Sequence, residues 1–165
     1  MTRSALPLLS VAILTLSLMV SAVPAPSAPV LTLVMAQKMI EGCTNLTATA
    51  KMPPLSVVVI DVSGTLLAFQ RQDGASPVSA DVAVQKARSA LRARASTRVI
   101  GTLASQDAAT RDALVALGIL GVPGGIPFPA GAAVPVGAVG VSGASPDVDE
   151  RCATAAVAVM GGLTG

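Results

Sequence analysis

Residues 55–60, Leu-Ser-Val-Val-Val-Ile, constrain the fold more than any other stretch of this sequence. Consecutive β-branched residues favour extended backbone, and the run is too continuously apolar for a strand with one wet face. Such a strand belongs inside a sheet covered on both sides, so neighbouring strands and packed helices must come from the rest of the chain. Val62-Ser63-Gly64-Thr65 supplies a turn, and residues 66–70 return as a second strand, completing a hairpin.

A second hairpin is expected near the C-terminus. Residues 126–130 read as a strand despite Pro127 and Pro129. Residues two apart point their N–H groups the same way, so both missing donors fall on one side and the strand belongs at a sheet edge. Its partner is expected at residues 136–142, with residues 131–135 as the connection.

Helical spacing fills the remainder. Residues 31 to about 50 form the first helix, with Thr32 as N-cap and Leu33, Ala36, Ile40, Cys43 and Thr47 recurring every three or four positions before Pro53-Pro54 ends it. Ser79 is expected to cap a helix from residue 80 to about 95, with Ala83, Ala87, Ala90 and Leu91 inward. A shorter helix covers residues 107–117 and stops at Gly118. A last one runs from Pro146, behind Ser145, to about Met160. The order predicts an α/β (α+β) fold: a single antiparallel sheet of two hairpins flanked by helices.

The first residues carry a different signal. Arg3 precedes an apolar run through Val20, and Val20-Ser21-Ala22 fits a small-x-small cleavage site. Residues 1–22 are therefore expected to be a secretory signal peptide, residues 23–30 a proline-punctuated linker, and residues 31–165 one domain in a secreted or periplasmic protein. An uncleaved anchor is the competing reading, but the apolar core is shorter than the roughly 20 residues of a spanning helix.

Composition removes whole classes of function. The chain has no histidine, which excludes Ser-His-Asp and Cys-His catalysis, HExxH zinc sites and imidazole-ligated haem. Two phenylalanines, no Trp or Tyr, and 11 basic against 9 acidic residues leave neither a stacking platform nor a polyanion-binding field, so no nucleic-acid partner is expected.

Taken in order, several segments resemble the GlcG/HbpS-like family of haem-binding and corrinoid-utilisation-related domains, over residues 31 to about 161. The resemblance is carried by Leu31-Thr32-Leu33, Val57-Val58-Val59-Ile60-Asp61 with Gly64, Arg71-Gln72-Asp73-Gly74-Ala75, Lys86-Ala87-Arg88, Pro123-Gly124-Gly125-Ile126-Pro127 and Gly137-Ala138-Val139-Gly140-Val141-Ser142-Gly143. It implies a profilin-like sandwich, a homo-oligomer, and kinship with secreted proteins that bind haem or another tetrapyrrole. It also implies that the first and last helices pack side by side, which would bring Cys43 and Cys152 within disulfide reach. Two buried thiols or a redox switch is the alternative for that pair.

A tetrapyrrole site needs an apolar slot, cations for the propionates and preferably an iron ligand. Arg71, Lys86, Arg88 and Arg92 are the cations in or beside family-like segments, with Asp73 in the same loop as Arg71. Guanidinium groups match carboxylates bidentately; solvated charge or ion pairing is the competing use. Gly124 and Gly125 leave backbone open to a ligand's close approach, or make a tight connection into the edge strand. Gly137, Gly140 and Gly143 read as close-packed strand and turn glycines, and Asp147, Asp149 and Glu150 as complements to a helix dipole rather than a metal site. Asn45-Leu46-Thr47 forms a glycosylation sequon inside a helix.

The function expected on these grounds is haem or tetrapyrrole binding, in haem handling or redox sensing, with a membrane sensor as a conceivable partner. The alternatives are an enzyme or accessory protein acting on a small organic acid, using Arg71, Asp73 and Lys86, and a structural or sensory oligomeric module.

Overall fold

In the computed structural model β1 (Ser56–Asp61) is the inner strand that its sequence requires. The structure describes residues 30–129 and 134–162. The signal and most of the linker expected at the N-terminus lie outside these residues, as does most of the connection in the second hairpin.

β1 pairs antiparallel with β2 (Leu66–Arg71) on one side and β4 (Gly137–Ser142) on the other. β3 (Gly125–Phe128) pairs only with β4, so the order is β2-β1-β4-β3 and the proline-bearing strand is an edge, as its missing donors demand. A register shift opposite Val59 and Ile60 leaves Leu67 without a partner in β2. The sheet is single, open and antiparallel, built from the two expected hairpins.

Alternation along β1 and β4 feeds two cores. Val57, Val59, Val139 and Val141 pack with α1 (Leu33–Thr49), α5 (Pro146–Ala158) and the 3₁₀ turn after it (Val159–Gly162). Val58, Ile60 and Ala138 face Ala83, Ala87 and Ala90 of α2 (Pro77–Ala93). The small side chains of α2 let it lie directly on the sheet. A Cβ on Gly140 would fall 2.7 Å from the Ala87 nitrogen, closer than packing tolerates.

α1 is capped by Thr32 as expected, its Oγ1 accepting from the Met35 N–H at 3.3 Å. Its inward stripe is Ala36, Met39, Ile40, Cys43 and Thr47, and Leu33 departs from the expected pattern by being 52 % exposed. α2 starts three residues before the expected position because Pro77 takes its first turn behind Ser76. Ser79 is buried instead, sharing a hydrogen bond of 2.7 Å with Ser56. α3 (Thr97–Gln106) fills a stretch for which no element was expected, with Ser96 as its N-cap. α4 (Ala108–Ala116) buries no residue of its own and is capped by Asp107, whose carboxylate accepts from the Ala109 and Thr110 N–H groups.

Cys43 and Cys152, both fully buried, form a disulfide between α1 and α5 with their Cα atoms 4.6 Å apart. Among the described residues no helix is long and apolar enough to cross a membrane.

Candidate functional site

Most of the residues expected to bind a ligand divide between the two edges of the sheet, with Arg88 and Arg92 on α2 at neither. At the β3 edge, Lys86 projects from the inner side of α2 and is 1 % exposed. Its Nζ donates to Asp149 Oδ2 at 2.7 Å and to the Val141 carbonyl at 3.0 Å. Asp149 is equally enclosed, and its other oxygen accepts from the Ala144 N–H at 3.0 Å. Burial pushes the Asp149 carboxyl above the usual aspartate range, against the opposing pull of Lys86 and of the Ala144 N–H.

Pro123-Gly124-Gly125 is folded over this pair. Gly124 has φ +121°, and a Cβ there would sit 2.6 Å from the Val141 oxygen and 3.0 Å from Lys86 Nζ. Its carbonyl accepts from the Val141 N–H at 2.8 Å. The Gly125 N–H donates to Thr97 Oγ1 at 2.8 Å, tying the turn to the start of α3. Thus Lys86, Gly124 and Gly125 do come together, but as a closed polar knot whose donors and acceptors serve one another. No buried side-chain nitrogen or oxygen among the described residues lacks a partner. Gly124 and Gly125 make a tight connection into the edge strand.

Two further expectations resolve into structural contacts. Arg92 donates from Nη1 to the Leu117 carbonyl at 2.9 Å, holding the end of α4. Asp147 and Glu150 both pair with Arg98 of α3, and with Asp149 engaged by Lys86 no cluster of three metal-ligating side chains exists among the described residues.

The β2 edge is built differently. Every residue of β2 is at least partly exposed, and Leu66 and Phe69 are among the large apolar side chains left in solvent. Between β2 and α1 runs an open groove of about 550 Å³, lined by Leu33, Ile40, Leu67 and Ala68 with Phe69 at its rim and Gln37, Glu41 and Gln70 as its polar groups. This groove explains the exposure of Leu33, which falls on the α1 stripe that meets the sheet's edge. Arg71 ends β2 one residue beyond Gln70 and is exposed. Asp73 lines a smaller cleft of about 220 Å³ with Thr47, Met52, Pro54 and Gln72, closed at its base by the Gln72 side chain, which donates to Thr47 Oγ1 at 2.8 Å and accepts from the Leu55 N–H at 2.8 Å. Arg88 stands exposed on the outer surface of α2, on the other face of the sheet from the groove.

Of the groove's contributors from α1, Leu33 and Ile40 were read from the sequence as members of the helix's periodic stripe, and Gln37 and Glu41 were not singled out. Leu33, Gln37, Ile40 and Glu41 follow the same three-and-four spacing as the core residues, and nothing in the spacing separates a groove stripe from a buried one.

Comparison with known proteins gives this architecture a family. A family model described as haem degrading protein HbpS-like matches residues 31–158. The chain belongs to the HbpS-like family. The crystal structure of HbpS is 32 % identical, with a TM-score of 0.72, covering 83 % of this chain and 94 % of that one. Klebsiella pneumoniae protein ORFY, assigned to the DUF336 family model, is 25 % identical at a TM-score of 0.73, covering 84 % and 95 %. The PduOC–haem complex shares the fold at 21 % identity and a TM-score of 0.71, covering 79 % and 95 %. Among curated proteins none matches.

Proposed function

We propose that this HbpS-like chain is an exported binding protein for haem or a related tetrapyrrole, and that the ligand lies along β2. The observation that carries the reading is the open groove between α1 and β2 in a chain that belongs to the HbpS-like family. Its volume of about 550 Å³ is in the range of small-molecule and cofactor sites, and its walls join apolar side chains to a few polar groups. A structural relative captured with haem shares the fold.

The residues present fit a flat apolar ring with carboxylate arms. Leu33, Ile40, Leu67 and Ala68 would cover the ring, and Arg71, one residue beyond the groove on the edge strand, would pair with a propionate. Glu41, Gln37 and Gln70 are the polar groups of the groove, so in a chain without histidine they or water would be the groups available to an iron there. Bound haem would supply a redox-active iron; the chain's own part is to hold and orient the ring and to shield one face from water.

Export rests on the signal pattern of residues 1–22 and agrees with the Cys43–Cys152 disulfide, since such bonds persist in oxidising compartments. N-terminal sequencing of chain recovered outside the cytosol should begin at Val23.

The binding claim is tested by titrating haemin into the chain from Val23 onward and following the Soret band. A saturable, shifted band is the expected result, with Arg71→Ala weakening binding by about 3- to 10-fold for one exposed charge-assisted pair. A spectrum that stays that of free haemin rejects the reading.

A further inference from the structure

The strand ends on one side of the molecule gather exposed apolar residues from separate segments. β1 finishes at Asp61 opposite Gly137, the first residue of β4, and β2 begins at Leu66 opposite Ile60. Val62, in the turn joining β1 to β2, therefore lies beyond this end. Val134 lies there too, because the connection from β3 closes with the Val136 N–H donating to the Phe128 carbonyl at 2.7 Å. The chain also enters here: a Cβ on Gly137 would fall 2.6 Å from Leu31 Cδ2, and Val30 precedes it. Val30, Val62, Leu66 and Val134 are 50 to 75 % exposed. The four strands they cap span only about 14 Å, so scattered surface valines do not describe them.

α2 brings cations to the same end. It runs from Ser79, bonded to Ser56 at the start of β1, to Leu91, whose Cδ2 is 4.0 Å from a Cβ placed on Gly64 in the β1–β2 turn. Arg92 and Arg94 follow Leu91, Arg88 stands one turn before it, and all three are exposed. From residue 82 to residue 106 the sequence holds five basic residues and no acidic one. Lys86 and Arg98 are turned to Asp149 and to Asp147 with Glu150, while Arg88, Arg92 and Arg94 carry the positive charge of this end. Asp61, which also lies here, turns its carboxylate into its own turn, where Ser63 and Thr65 donate to it.

Apolar loop tips beside arginines match a membrane interface, where such tips enter the boundary of headgroups and acyl chains and cations meet anionic headgroups. Where the leader joins agrees with this. Given export as proposed above, the seven residues 23–29 separate the expected cleavage site from Val30 and reach at most about 25 Å, so export releases the domain with this end beside the membrane. We propose that this end of the sheet is a peripheral docking surface for anionic phospholipid membranes, with Val62 and Val134 as its apolar tips and Arg88, Arg92 and Arg94 as its headgroup contacts.

Co-sedimentation of the apo chain, from Val23 onward, with large vesicles tests this. Equimolar phosphatidylglycerol and phosphatidylcholine vesicles should bind it at least about tenfold more tightly than pure phosphatidylcholine, and high salt should erase the difference. Arg88→Gln and Arg92→Gln should each weaken binding about fivefold. Val62→Asp should weaken it at least about tenfold without altering the circular dichroism. Val78→Asp makes the same change of charge at the start of α2, on a side chain 62 % exposed against 61 % for Val62, and should leave binding unchanged. A chain that stays in the supernatant with anionic vesicles overturns the proposal. So does binding that Val62→Asp and the arginine variants leave intact, or that Val78→Asp weakens as much as Val62→Asp. Haemin takes no part in these measurements, so they can fail while the groove still binds haem and succeed where it does not.

Discussion

The two edges of this sheet handle the same problem, unpaired strand backbone and exposed apolar surface, in opposite ways. At the β3 edge two prolines remove donors, Gly124 and Gly125 press the chain onto α2, and the Lys86–Asp149 pair is sealed beneath. At the β2 edge nothing seals the strand: Leu66 and Phe69 remain in solvent and α1 stands off far enough to leave a groove. One edge spends its polar chemistry on internal order, while the other keeps its surface available. The family resemblance drew attention to residues at both edges, and burial is what separates them.

Breaking the sealed edge should produce the largest effect. Asp149→Ala leaves Lys86 as an enclosed, unpaired cation, and the cost expected from breaking a buried pair is about 3–5 kcal/mol, read from urea or guanidinium unfolding. Replacing both partners, Lys86→Met with Asp149→Leu, should recover most of that loss, because the apolar pair needs no compensation. A single variant within 1 kcal/mol of wild type, roughly the worth of an exposed pair, would mean the knot is not closed.

Removing the disulfide with Cys43→Ala/Cys152→Ala should cost about 2–4 kcal/mol, since it ties residues 109 apart. Equal unfolding midpoints with and without reductant would contradict that, provided mass spectrometry shows the bond was broken. The open edge should behave in the reverse sense. Leu33→Ser is expected to change stability by less than about 1 kcal/mol, as for other half-exposed positions, yet to weaken haemin binding several-fold. A large loss of stability there would show that the start of α1 is more deeply packed than the exposure of Leu33 indicates.

The smallest effect separates two carboxylates. Asp61, in the β1–β2 turn, is held below the usual aspartate range chiefly by the Ser63 hydroxyl, with the Thr65 and Ser63 N–H groups assisting. Its contribution is complete above the unfolded-state value and is lost as pH falls through the folded one. Asp149 has the opposite sign: the folded chain takes up its proton first, so its ionisation weakens the fold as pH rises from the ordinary aspartate range through its raised value. Carbon-detected NMR titration should find Asp149 titrating above Asp61; the reverse order would remove the electrostatic contrast between the two places.

Much of the fold was legible because local chemistry and tertiary demand agreed. The valine run of β1 could only be an interior strand, and Pro127 and Pro129 could only stand at an edge. α3 was not legible: Gly101 interrupts its helical signal, and its order comes from Thr97 and Arg98 reaching Gly125 and α5, contacts that sequence spacing does not display. The site was legible in its chemistry but not in its geography. Lys86 and Asp149 are 63 residues apart, and neither position signals that the other will neutralise it. The groove depends on α1 failing to close over β2, a property of packing that left Leu33 looking like any other core position.

The claim that ligand binding belongs to the open edge is tested most directly by mapping amide chemical shifts of the isotope-labelled chain as gallium protoporphyrin, a diamagnetic stand-in for haem, is added. Saturable changes should concentrate on residues 33–41 of α1 and 66–71 of β2. Changes centred instead on Lys86, Gly124, Gly125 and Asp149 would place the ligand at the sealed edge and contradict the assignment.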